Sequence, residues 1–145
     1  VLLEENFGIK ADVWSATSFT ELRREGLETT RWNLLHPTKK QKESYVSMCL
    51  NKAQAPVIAA TDYMKIYADQ IRQFVSNPYI SLGTDGYGRS DTRSKLRSFF
   101  EVDSSFIVLA SLKALVDKGE IKNSVLDNAI KDYGVDPDRQ SPAQT

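Results

Sequence analysis

Two periods run through the apolar positions of this chain, dividing it into short extended stretches and amphipathic ones. Three stretches are rich in strand formers. In ADVWSAT (11–17), Val13 and Ser15 alternate with Trp14 and Ala16. APVIAAT (55–61) is a continuous run of small apolar residues, the signature of a strand covered on both faces in a parallel sheet. YISLGT (79–84) is the third. Helical signals follow each of them. Ser18, Phe19, Thr20 and Glu21 fit a capping box, so a helix is expected from Phe19, with Gly26 ending it. Residues 42–51 place Tyr45, Met48 and Cys49 at i, i+3, i+4 spacing. Thr61 or Asp62 is positioned to cap a helix whose buried face is marked by Met64, Tyr67, Ala68, Ile71 and Val75, and Asn77-Pro78 ends it. Ser90 or Asp91 is expected to cap a helix carrying Leu96, Phe99 and Phe100. Asp103 should cap another, with Ile107, Ala110, Leu112 and Leu115 on its face and Gly119 closing it. A last helix spans roughly 122–133, with Val125, Leu126, Ala129 and Ile130 at helical spacing.

Strands each followed by a helix predict an α/β fold of three layers, helix, sheet and helix. The chain is one domain by length, with residues 1–133 as its body. Residues 134–145 carry prolines, polar side chains and no period, which predicts a partly loose tail. VLLEENFG at the start reads as the last turns of a helix with no capping residue before it. That predicts a fragment whose first strand lies further upstream. No internal repeat is found.

Composition changes this picture little. Apolar residues make up 41% and charged ones 26%, as in an ordinary soluble globule. Nineteen basic side chains balance nineteen acidic ones, so no long-range field draws the chain to nucleic acid or to an anionic membrane. No apolar run approaches the ~20 residues that cross a bilayer. The single cysteine, Cys49, lies in an apolar-periodic stretch and reads as a small core residue; it also suits a reducing, cytoplasmic setting.

The densest candidate chemistry is GTDGYGRSD (83–91), between a strand and a helix, where α/β domains bind nucleotides. A dinucleotide fingerprint needs Gly-x-Gly-x-x-Gly, and Gly83, Gly86 and Gly88 reverse that order. No Gly-Lys-Ser/Thr completes a P-loop, and Asp85 and Asp91 would oppose a bound phosphate. The preferred reading is a tight corner in which the glycines supply positive φ and Ser90 or Asp91 caps the next helix. Arg89 and Arg93 sustain the alternative, a small-ligand or nucleotide-binding regulatory module. Gly86, Tyr87, Gly88, Arg89 and Ser90 are therefore the candidate interface or anion contact. His36, the only histidine, reads as a solvated loop residue, and one His with one Cys makes no zinc site. Asp62 and Asp85 lie just past strand ends, where helix capping is the common use of a carboxylate. Trp14, Trp32, Tyr63, Tyr79 and Tyr87 exceed what short strands bury, so some of them are expected to meet another domain or subunit.

Taken in order, ADVWSATSFTELRREG, RWNLLHP, APVIAATDYMKIYADQIR and LGTDGYGRSDTRSKLRSFFEVD resemble the C-terminal domain of the homodimeric bacterial pyruvate dehydrogenases. The glycine corner is also similar to that of transketolase C-terminal domains. The resemblance implies a three-layer α/β/α domain of transketolase C-terminal type, a mixed and mostly parallel sheet lacking its first strand here. It implies a parent enzyme that decarboxylates pyruvate on thiamine diphosphate with magnesium and passes the acetyl group to a lipoyl arm of dihydrolipoyl acetyltransferase. It further implies that cofactor and metal sit in the other domains of a dimer. On this reading the present chain holds no catalytic, cofactor-binding or metal-binding residue and is inactive alone.

Overall fold

A computed structural model describes residues 1–144. Its centre is a two-stranded parallel sheet, β1 (Val57–Ala60) and β2 (Tyr79–Leu82), in register Val57 to Tyr79 through Ala60 to Leu82. These are the stretches whose small apolar and β-branched residues announced them. The helices are α1 (Leu2–Phe7), α2 (Phe19–Leu35), α3 (Tyr45–Leu50), α4 (Lys65–Asp69), α5 (Arg93–Phe99), α6 (Ser104–Asp117) and α7 (Asn123–Asp132). Val57 and Ala59 join a core of Val46, Ile71, Phe74 and Tyr79, to which α2 adds Phe19 and Leu22. Side chains alternate along a strand, so Ile58 and Ile80 take the other face, and α6 packs on both strands. A second core lies behind, where Val108, Leu109 and Leu112 of α6 meet Ala129 of α7, with Leu2, Leu3 and Phe7 of α1 packed against them.

Three expectations about strands, helix ends and loops are corrected, and two about caps follow. Residues 11–17 form no strand: Val13 is 94% exposed, and neither strand of the sheet pairs with this stretch. Strand formers alone do not make a strand, since backbone groups need a neighbour to bond. Gly26 does not end α2, which runs on to Leu35. The ring of Phe74 lies against the Gly26 backbone, where a methyl group would collide with it, so the glycine is a packing site inside the helix. His36 is not a solvated loop residue. It is half-buried at the end of α2, stacked on Trp32 at 4.3 Å, with Nδ1 donating to the Trp32 carbonyl at 2.8 Å.

The caps divide similarly. Ser18 accepts from the Glu21 amide at 3.2 Å, and Asp103 Oδ1 accepts from the Phe106 amide at 3.0 Å, as the sequence predicts. Neither Thr61 nor Asp62 caps α4; the Lys65 amide donates instead to Asp85 Oδ1, twenty residues on, at 3.0 Å. The cap position of α5 is Thr92, and Asp91 accepts from the Thr92 amide at 2.7 Å.

Candidate functional site: the corner after the second strand

The end of β2 is fastened to the loop that follows β1. Gly83 is buried, and a methyl group there would lie 2.5 Å from the Tyr63 carbonyl oxygen and 2.7 Å from the Lys65 nitrogen. The Thr84 amide donates to the Tyr63 carbonyl at 2.9 Å, and its hydroxyl to the Asp62 carbonyl at 3.2 Å. Two parallel strands thus deliver their carboxyl ends to one rim, and glycine is what allows that approach.

Of the three corner glycines, only Gly86 has the positive φ the sequence reading assigned to all of them, at +115°. A methyl group on it would also meet the Pro142 carbonyl oxygen at 2.5 Å. Pro142 and Ala143 are therefore folded against the corner. Pro142 is buried, Arg139 Nη2 donates to the Phe99 carbonyl at 2.9 Å, and Arg139 pairs with Glu101 at 3.6 Å. No period in the sequence marks these contacts. Gly88 lies in open space with no left-handed backbone, so neither packing nor strain explains it.

Among the remaining corner residues, Tyr87 is 80% exposed. The Arg89 guanidinium sits over the Phe99 ring at 4.4 Å from its centroid, an attraction between cation and ring face. Arg89 and Ser90 share the wall of a hollow of about 440 Å³ with Asp91, Lys95, Leu96 and Phe99. Gly86, Tyr87 and Gly88 lie outside that wall, so the five candidate residues do not converge on one point.

Each carboxylate nearby is engaged by the fold. Arg97 donates to Asp62 twice, Nε to Oδ1 at 3.2 Å and Nη2 to Oδ2 at 2.7 Å, and this holds the Asp62 carboxyl below its usual range. Asp85 accepts from the start of α4, and Asp91 pairs with Lys95 at 3.8 Å. Tyr79 is buried, its hydroxyl donating to the Ala68 carbonyl at 2.6 Å, and desolvation pushes its pKa up to about 12. Cys49 is half-buried on α3.

These residues do not fit a metal ion or a diphosphate. Among the described residues no three His, Cys, Asp or Glu side chains gather as ligands, and Asp91 lines the same hollow as Arg89, where its charge opposes a bound anion. No helix among them is long and apolar enough to cross a membrane. The corner can join two strand ends, aim α5, and present an aromatic ring and a guanidinium outward.

The family model of the transketolase-like TK C-terminal domain matches residues 1–103, and the chain belongs to that family. Its curated relatives narrow the likeness. The chain is 59% identical over 142 residues to the pyruvate dehydrogenase E1 component of Pseudomonas aeruginosa, and 52% over 141 residues to that of Cupriavidus necator. With that of Escherichia coli K12 it shares 45% over 142 residues. Each alignment takes in 97% of this chain and 16% of the relative, so the chain spans about one sixth of the length of the proteins it matches.

Proposed function

We propose that this chain is the C-terminal assembly domain of a pyruvate dehydrogenase, an enzyme that oxidatively decarboxylates pyruvate and acetylates the lipoyl group of dihydrolipoyl acetyltransferase. The observation that carries the reading is the 59% identity to a pyruvate dehydrogenase E1 component across nearly the whole chain, with the relative about six times longer. Residues 1–133 form the body of the domain and 134–145 its tail. Thiamine diphosphate and magnesium are held by other domains of a cytoplasmic homodimer, which agrees with a corner whose carboxylates are all in structural use. Within the domain, Gly86 to Ser90 form a corner that offers Tyr87 and Arg89 to a neighbouring domain or subunit.

A second reading, a small-ligand regulatory module, draws on the hollow beside Arg89 and Lys95. It predicts stabilisation by an anionic ligand of about 2.7 kcal/mol at a hundredfold excess over Kd, where an assembly domain gives none. The direct test of the first reading uses the full-length protein with pyruvate, thiamine diphosphate, magnesium and a lipoyl domain of the acetyltransferase. Acetylation of the lipoyl domain is the expected result, and its absence from a folded, cofactor-loaded protein would remove the enzymatic assignment.

A further inference from the structure

The bend before α4 and the first turn of that helix expose apolar side chains that none of the described residues covers. The sequence pattern predicts Met64, Tyr67, Ala68, Ile71 and Val75 as one face; Ala68 and Ile71 are buried and Val75 is half-buried. Met64 is 43% exposed and Tyr67 38%, and beside them stand Tyr63 at 55% and Ile66 at 62%. Tyr63 lies in the bend before α4, and its ring meets that of Tyr67 edge to face at 4.7 Å. The carboxylates around it are engaged: Asp69 with Arg72 at 2.8 Å and with the Ser81 hydroxyl at 2.9 Å, and Asp62 with Arg97. Among the described residues the tail lies elsewhere, with Pro142 against Gly86 and Arg139 against Phe99.

We infer that Tyr63, Met64, Ile66 and Tyr67 form a docking surface covered, in the full-length protein, by an uncharged apolar surface of the same polypeptide outside these 145 residues. The inference rests on the proposed function, in which this chain is the end domain of a longer enzyme. The occupant follows from length and charge. About five sixths of each relative lies outside the matched region, and none of the four side chains carries a charge to attract an ionic partner.

The two methionines provide the test. Met48 and Met64 are equally exposed here, at 44% and 43%, and both oxidise in proportion to their access to solvent. Oxidation of each is followed by mass spectrometry in the native full-length protein and again after denaturation. A covered Met64 is slowed at least ~10-fold by folding, whereas a side chain left half-exposed is slowed about twofold. The expected result is the larger factor at Met64, unchanged on dilution to the monomer. A factor near two overturns the inference, as does protection that disappears on dilution, which gives the face to a second copy. A native polypeptide no longer than these residues overturns it as well. Protection is read without turnover, so a protein that shields Met64 but does not use pyruvate loses the enzymatic reading alone.

Discussion

Helices α6 and α4 lean on the same two strands and meet opposite fates. In α6, Val108, Leu109, Leu112 and Ala114 are all buried, because α1 and α7 close over the side turned from the sheet. In α4 only Ala68 is buried, and the rest of its apolar surface faces solvent. Both helices carry enough apolar residues to be covered. Apolar content therefore states that a helix is to be buried, while the partners present decide where that burial happens.

The contrast can be broken most directly at Leu112, which has no exposure to solvent. Leu112→Ala is expected to destabilise the chain by about 2–5 kcal/mol, through lost burial and the cavity left behind. Ile66→Ala on α4 is expected to cost less than about 0.5 kcal/mol in the same chain, as at other surface positions. Urea unfolding of the two variants measures both, and equal losses would abolish the distinction between the helices.

Gly83 sharpens the comparison from the side of α4. A methyl group there meets the carbonyl of Tyr63 and the nitrogen of Lys65, backbone atoms with little room to move. Gly83→Ala should cost about 1–3 kcal/mol by overpacking. Unchanged thermal unfolding would show that the joint between β2 and α4 is loose.

A smaller effect is expected at the start of α6. Asp103→Ala removes the oxygen that accepts from the Phe106 amide and should cost about 1 kcal/mol, with Asp103→Asn retaining most of the stability. Circular dichroism melts of the two variants distinguish a lost cap from a lost charge.

The smallest concerns the Asp62–Arg97 pair, which is largely exposed. Arg97 lowers the folded pKa of Asp62, so the pair stabilises the fold above the unfolded carboxylate pKa of about 4 and loses that effect as pH falls through the lower folded value. Asp62→Asn should therefore melt slightly below the parent chain near neutral pH, and the difference should close in acid. A gap that widens in acid would reverse the sign of the linkage.

How far the sequence foretold this depended on the distance over which each feature is determined. Asp103 and Ser18 cap within three residues, and both strands of the sheet declare themselves by their own composition. ADVWSAT carries comparable composition and forms no strand, since pairing depends on a neighbour that the stretch itself does not specify. Gly26 reads locally as a stop, but what surrounds it is Phe74, forty-eight residues away. The cap of α4 by Asp85 and the folding of Pro142 against Gly86 have the same character. At the corner, the failure of the nucleotide fingerprint was legible from glycine spacing alone. That only Gly86 adopts left-handed backbone, while Gly83 serves a close approach, required the packed structure.

The central claim is that this chain holds geometry for chemistry carried out elsewhere in a longer polypeptide. The measurement that meets it most directly is carbon dioxide release from labelled pyruvate, with thiamine diphosphate and magnesium, by the 145-residue chain and the full-length protein side by side. Release by the full-length protein and none by the 145-residue chain is the result predicted. Turnover by the 145-residue chain alone would contradict it.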